Sequence, residues 1–202
     1  MSITLFDQDV PDDYDAGAVL AVDTETMGLN VHRDRLCLVQ MSRGDDAADL
    51  VRIRQGQARA PNLDRIFSDP AIVKIFHYAR ADMAVLRHWL GIDVRNVYCT
   101  KIASRLTRTN SGQHGLRALV QDILEIEIQK DQQSSDWGAE ILSENQQIYA
   151  ASDVLYLRAL REALDARLVR EGRGNLAKQC FAFLPHRVAL DLGGWHGDIF
   201  AH

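Results

Sequence analysis

The chain lacks several features that would place it in a common class of protein. No apolar run approaches the roughly 20 residues that cross a bilayer, so no membrane-spanning segment is expected. Its three cysteines, Cys37, Cys99 and Cys180, are odd in number and widely spaced, which predicts neither a disulfide framework nor a zinc site. The acidic segment 1–15 has no basic stretch leading into an apolar one, so it does not have the pattern of a signal peptide. These absences favour a cytoplasmic location.

Positive charge is also scarce. The 202 residues include 23 Lys and Arg against 28 Asp and Glu, which gives a formal net charge of −5. Proteins that bind long nucleic acids usually have a basic surface that contacts many phosphates, and this chain has no basic tail or block. If it acts on nucleic acid, we expect local contacts, bound metal and a short substrate. No Gly-x-Gly-x-x-Gly follows the first strand, so a nucleotide-binding oxidoreductase is disfavoured.

What is present has the composition of a single globular domain, spanning 1–202, with 47% hydrophobic and 25% charged residues. Apolar segments at 18–24, 35–42 and 48–53 predict an antiparallel meander, and further strands are predicted at 72–77 and 96–99. Helices are predicted at 62–67, 80–90, 101–107 and 114–124. A long helix from Ser143, with Gln146 in a capping box, is predicted to reach Arg170, and a last helix at 176–184 is predicted to stop at Pro185. This order predicts an α/β fold with a mixed sheet covered by helices.

Two acidic residues end the first apolar strand. Asp23 and Glu25 are two residues apart, so on an extended chain their side chains lie on the same face. Acids at the end of a buried strand need a compensating cation or hydrogen-bond donor. Hard cations such as Mg²⁺ and Mn²⁺ prefer carboxylate oxygens, so a metal site is one interpretation. The alternative is a solvated strand end that begins a turn.

Three later residues are less distinctive when each is taken alone. Asp82 is predicted in the first turn of the helix after the fourth strand, where an acid also complements the helix dipole. Tyr149 and Asp153 are four residues apart and share one helix face. The same spacing is typical of a tyrosine that packs on a buried face with an acid at its edge.

In combination these motifs resemble a known family. An Asp-x-Glu at a strand end, Asp82 after a later strand and Tyr149-x-x-x-Asp153 in a late helix are similar to the DEDD 3′→5′ exonucleases whose last motif contains tyrosine, such as ribonuclease D. The segment 130–137 (KDQQSSDW) and the dipeptide at 115–116 resemble that family too, and the likeness runs from about 18 to 168. The whole chain is most similar to the nanoRNase C group, compact relatives of ribonuclease D that degrade very short RNAs. The resemblance implies an RNase H-like fold.

The resemblance also implies two-metal-ion hydrolysis that releases nucleoside 5′-monophosphates from the 3′ end. Asp23 would bridge two divalent ions, Mg²⁺ or Mn²⁺. Glu25 and Asp153 would complete the site of the ion that binds the nucleophile, and Asp82 would hold the second ion through water. Tyr149 would orient the attacking water, since a phenol with an ordinary pKa of about 10 is a poor base at neutral pH.

Further residues are candidates for binding the substrate. Leu29 occupies the place where similar enzymes insert an apolar residue between the two terminal bases, although it could simply anchor a turn. His77 would contact the scissile phosphate or close a hydrogen bond in the core. Several basic and polar residues would form a 5′-phosphate pocket, or else the basic ones line a solvated helix face: Lys101, Arg105, Arg108, His114, Ser134 and Ser135.

The expected partners are short single-stranded RNA of about dinucleotide size and further copies of the chain. The segment 190–202 is unusually apolar and includes Trp195, Ile199 and Phe200, which predicts self-association unless it folds back on its own domain. The nanoRNase C resemblance implies a ring-like homo-oligomer such as an octamer. Three other activities stay open: trimming of longer RNA, a proofreading-like DNA exonuclease, and a non-catalytic RNA-binding scaffold on the same fold.

Overall fold

One mixed sheet organises the molecule, which a computed structural model describes over residues 1–128 and 135–201. The strand order in the sheet is β1-β4-β3-β2-β5-β6. The strands are β1 (Ser2–Asp7), β2 (Val19–Thr26), β3 (Leu36–Ser42), β4 (Ala47–Arg52), β5 (Val73–Phe76) and β6 (Val97–Cys99). The helices are α1 (Pro61–Ser68), α2 (Ala79–Leu90), α3 (Thr100–Thr107), α4 (Leu116–Leu124), α5 (Glu144–Leu155), α6 (Leu157–Arg170) and α7 (Gly174–Leu192).

The pairing of the strands confirms the predicted fold class, an RNase H-like mixed sheet. β2, β3 and β4 form the antiparallel meander, while β5 pairs with β2, and β6 with β5, in parallel. The first strand, β1, was missed. It lies at the edge of the sheet, parallel to β4, and most of its side chains are exposed, so it lacks the apolar signal of the inner strands.

Helices cover both faces of the sheet, which explains why every residue of β3 is buried. On one face, β2 and β3 contribute Leu20 and Val39 to a core that includes residues of α1, α2 and α7. On the other face, Ala21 and Ile75 pack in a core with residues of α4, α5 and α6. No helix in the described ranges is both long enough and apolar enough to cross a membrane.

The predicted long helix from Ser143 to Arg170 is wrong in one respect, because it is two helices. α5 ends at Leu155 and α6 begins at Leu157, with Tyr156 at the junction. The capping box at the start is confirmed: Gln146 donates its backbone N–H to the Ser143 hydroxyl, and its side chain accepts from the Ser143 backbone. The break is set by packing, because α5 lies against β3 and β4 whereas α6 packs on α3 and α4.

The prediction that the last helix stops at Pro185 is wrong. α7 runs from Gly174 through Pro185 to Leu192. A proline inside a helix removes one backbone hydrogen bond and weakens the turn before it. Here Leu184 and Val188 are buried in the core on either side of the proline, at 4% and 1% exposure, and hold both halves in line.

Candidate active site

Three of the predicted acids converge at the end of β2. Asp23 and Glu25 share a face of the strand, and α5 brings Asp153 against that face. One carboxylate oxygen from each of the three lies within 4.8 Å of the others. The β2–β3 register shifts just after Glu25, so regular pairing ends where the carboxylates are presented.

Asp82 approaches from the opposite side of β2. It lies in the first turn of α2, as predicted, and its side chain is buried. The Thr24 hydroxyl donates a hydrogen bond of 2.7 Å to Asp82 Oδ1. Side chains alternate along a strand, so the residue between Asp23 and Glu25 must face α2. Sequence reasoning missed Thr24, although this alternation was its signal.

Crowded carboxylates have raised pKa values in this site. Burial, followed by the charges of Asp82, Asp153 and Glu25, raises the pKa of Asp23 well above its ordinary value. Burial, followed by the charges of Asp153 and Asp82, raises the pKa of Glu25 to about 9. Burial also raises the pKa of Asp82 and of Asp153 to about 7 each. Such a group of oxygen donors lacks only positive charge, and therefore fits Mg²⁺ or Mn²⁺.

Tyr149 lies beside the carboxylates on α5. Its ring is half-buried, with its centroid 5.9 Å from that of Trp137. Burial, followed by the charges of Asp153, Glu25 and Asp23, raises the pKa of Tyr149 above its ordinary value. The phenol therefore keeps its proton at neutral pH and is able to donate a hydrogen bond.

His77 had two interpretations, a contact with the scissile phosphate or a hydrogen bond in the core, and the structure contains the core hydrogen bond. Its Nδ1 lies 2.8 Å from the Thr100 hydroxyl, which also donates to the backbone oxygen of Phe76. Burial, followed by the charge of Lys101, lowers the pKa of His77 to about 4. The imidazole is thus uncharged at neutral pH, so it would bring no positive charge to a phosphate.

The basic and polar residues proposed for the 5′-phosphate are only partly brought together. The Lys101 ammonium lies 4.1 Å from the centre of the Tyr78 ring, and His114 Nδ1 lies 2.9 Å from the Ser104 hydroxyl, so both lie along α3. Arg108 follows the last turn of α3 and pairs with Asp122. Burial, followed by the charges of Arg105 and Arg108, lowers the pKa of His114, so both arginines lie near that imidazole.

Three other candidates have different settings. Ser135 accepts a hydrogen bond of 3.2 Å from the Gln146 side chain, next to the start of α5. Ser134 lies outside the described residues. Leu29 has a fully exposed side chain, so it does not anchor its turn and is free to meet a ligand.

A groove between α4 and α5 passes beside Tyr149 and Asp153. Leu116, Arg117, Tyr149 and Asp153 are among its lining residues, so one wall carries the carboxylate and phenol described above. A ligand lying in this groove would contact Tyr149 and Asp153 of the candidate site.

Comparison with known proteins gives a consistent result. Residues 8–169 match the model of a 3′-5′ exonuclease family. Ribonuclease D of Acidiphilium cryptum is 36% identical over 154 residues, which are 76% of this chain and 39% of that protein. Ribonuclease D of Jannaschia sp. is 33% identical over 174 residues, covering 84% of this chain and 45% of the relative. The chain thus spans less than half the length of these curated relatives.

A solved structure matches over the whole length. Brucella melitensis NrnC is 53% identical, has a TM-score of 0.96 and covers 100% of both chains. The same protein with bound Mg²⁺ is 51% identical with a TM-score of 0.95 over 100% of both chains. Its structure bound to pGG is 52% identical with a TM-score of 0.95, over 100% of this chain and 99% of that one.

Proposed function

Because this chain belongs to the 3′-5′ exonuclease family, which its ribonuclease D relatives share, we propose that it is a metal-dependent exoribonuclease that releases nucleoside 5′-monophosphates from the 3′ end of RNA. The observation that carries the proposal is the cluster of Asp23, Glu25 and Asp153, whose carboxylate oxygens lie within 4.8 Å of one another. A scaffold without catalysis has no use for so many mutually repelling acids, which argues against the non-catalytic alternative.

The acids divide into two groups around the cations. Asp23 would contact both divalent ions, Glu25 and Asp153 would help to hold one of them, and Asp82 would help to hold the other. Two such ions, when bound, stabilise charge on the attacking and leaving oxygens of a phosphodiester. Thr24 fixes the orientation of Asp82 through its hydrogen bond. Tyr149, whose raised pKa keeps the phenol protonated at neutral pH, would orient the attacking water through its hydroxyl.

We further propose that the substrate is very short RNA, of two or a few nucleotides. Support comes from the full-length likeness to NrnC, whose structure was solved bound to pGG, and from the acidic net charge of −5. Exposed Leu29 would separate the terminal bases. Lys101, Arg105, His114 and Ser135 would enclose the 5′-phosphate, with Ser134 as a further candidate, and so exclude longer chains.

Hydrolysis of 5′-labelled RNAs from two nucleotides to long chains, with Mg²⁺ or Mn²⁺, tests this proposal. We expect fast cleavage of the dinucleotide and a rate that falls as length increases. Equal or faster cleavage of long RNA would instead favour ribonuclease D-like trimming. A matched DNA series checks the dependence on the 2′-hydroxyl and the proofreading-like alternative. No metal-dependent cleavage at any length would contradict the catalytic proposal.

The phosphate pocket has its own test in Arg105→Ala. A charged hydrogen bond contributes about 1.5–3 kcal/mol, so we expect KM for a 5′-phosphorylated dinucleotide to rise about 10- to 150-fold. The same dinucleotide without its 5′-phosphate should be cleaved equally well by both proteins. Arg59→Ala, an exposed arginine in another part of the surface, is the matched control. Unchanged KM for both substrates would remove Arg105 from the pocket.

The segment after α7 supports a proposal of self-association. Trp195, Ile199 and Phe200 are 61%, 48% and 78% exposed, so they are not folded into the core of their own domain. Exposed apolar side chains close together in the sequence are typical of an interface, and we propose that they join copies of this chain into a ring-like homo-oligomer such as an octamer.

Light scattering of the full chain and of a chain ending at Gly194 tests the interface. Because α7 continues to Leu192, this truncation leaves the helix whole. We expect the full chain to have several times the mass of one copy and the shortened chain to have a lower mass. Trp195→Asp should act in the same direction without removing any backbone. An unchanged mass in both variants would mean that these side chains do not form the interface.

A further inference from the structure

Gln40, in the middle of β3, has an unusual environment. The side chain is 0% exposed, yet neither its Nε2 nor its Oε1 has a hydrogen-bond partner in the described part of the chain. Leaving a buried amide unpaired costs free energy, and such groups are few in native proteins. An apolar side chain of similar size would fill the same space without that cost. Packing alone therefore does not explain an amide at this position.

The sheet register places Gln40 beside the candidate active site. Its partner in β2 is Asp23, and directly opposed residues of antiparallel strands have their side chains on one face, with Cβ atoms about 4.5–5.5 Å apart. Its partner on the other side, in β4, is Leu50, which is apolar. Asp23 is therefore the one charged residue directly opposite Gln40 in either neighbouring strand.

The remaining polar neighbour along β3 is already engaged. Ser42, two residues further on and on the same face, donates its hydroxyl to the Ala47 backbone oxygen and accepts from the Gly44 N–H. Leu38, two residues before, is apolar and fully buried. Among the neighbours of Gln40 within the sheet, the Asp23 carboxylate is therefore the available charged acceptor for the amide.

We propose that Gln40 is a positioning residue for Asp23, and the proposal rests on the metal-dependent function above. With cations bound, Nε2 of Gln40 would donate a hydrogen bond to Asp23 and hold the carboxylate in the orientation that binds them. Metal-binding carboxylates commonly have such an outer partner, and its loss costs about 10- to 100-fold in metal affinity or activity. A neutral amide suits this place, since a lysine or arginine would compete with the cations and a glutamate would add to the repulsion.

The test is Gln40→Met, which keeps an unbranched side chain of similar length and removes both polar atoms. Mn²⁺ affinity, measured from the electron paramagnetic resonance signal of unbound Mn²⁺, is expected to fall about 10- to 100-fold. Metal-free thermal stability is expected to stay equal or to rise, because the unpaired amide is gone. A merely structural amide would give the reverse result, a lower melting temperature with unchanged Mn²⁺ affinity.

Ser42→Ala is the matched control on the same face of β3. It loses two hydrogen bonds away from Asp23, so it should lower the melting temperature and leave Mn²⁺ affinity unchanged. Gln40→Leu provides a second apolar variant if methionine does not fold. Unchanged Mn²⁺ affinity in the folded variant would overturn the role of Gln40, whereas failure of the unaltered protein to bind Mn²⁺ would overturn the proposed function itself.

Discussion

Asp23→Asn is expected to lower the rate of RNA hydrolysis at least about a thousandfold. Stabilisation of transition-state charge by a bound cation is worth several kcal/mol, and each 1.36 kcal/mol corresponds to a factor of ten in rate. Asp23 is partly buried, one of its carboxylate oxygens lies within 4.8 Å of those of Glu25 and Asp153, and the charge of Asp82 also raises its pKa. Asparagine has nearly the same shape but cannot supply the bridging charge.

The measurement is kcat/KM on a 5′-labelled dinucleotide with saturating Mg²⁺. Asp13→Asn, which neutralises an exposed acid before β2, is the matched control and should keep the activity of the unaltered protein. Circular dichroism of both variants checks that the fold is retained. If Asp23→Asn kept activity within tenfold of the unaltered protein, Asp23 would not bridge the catalytic ions.

Without divalent cations, the protein is expected to lose stability as pH rises from about 5 to 8. The folded state raises the pKa of Glu25 to about 9 and of Asp82 and Asp153 to about 7, whereas in the unfolded chain they titrate near 4. Between these values the folded state binds more protons than the unfolded state. The free energy of unfolding therefore falls with increasing pH in that window.

Mg²⁺ or Mn²⁺ should reverse this loss, and more strongly at pH 8 than at pH 5, because cations bind the deprotonated acids. At about 100 times the dissociation constant, the expected gain at pH 8 is about 5 °C or more in melting temperature. Melting curves with EDTA or with cation at four pH values provide the measurement. Glu25→Gln should flatten the metal-free pH dependence, since it removes one of the raised groups. A metal-free protein that grew more stable toward pH 8 would contradict the proposed electrostatics.

The features that could be predicted from the sequence are those fixed by residues close together in the chain. The same-face placement of Asp23 and Glu25 depends only on strand geometry, and the capping box of Ser143 with Gln146 lies within one helical turn. Both were predictable because neither depends on contacts with distant parts of the chain.

The failures depend on tertiary contacts. The helix breaks at Tyr156, between α5 and α6, because the two helices pack against different neighbours. No glycine or proline at this point of the sequence indicates the break. Pro185 remains inside α7 because the core holds the residues around it. Gln40 became notable only when the register placed it opposite Asp23, and Thr24 only when α2 approached β2.

The assembly of the acids from distant parts of the chain has a consequence for refolding. Thr24 and Asp82 are 58 residues apart, and Asp153 arrives on a helix that follows six strands and four other helices in the described chain. Contacts over such separations form late, because each closes a long loop. Helical signal should therefore recover before hydrolysis does when denaturant is diluted. The recovery of hydrolysis would then report the rate at which α5 docks on the sheet.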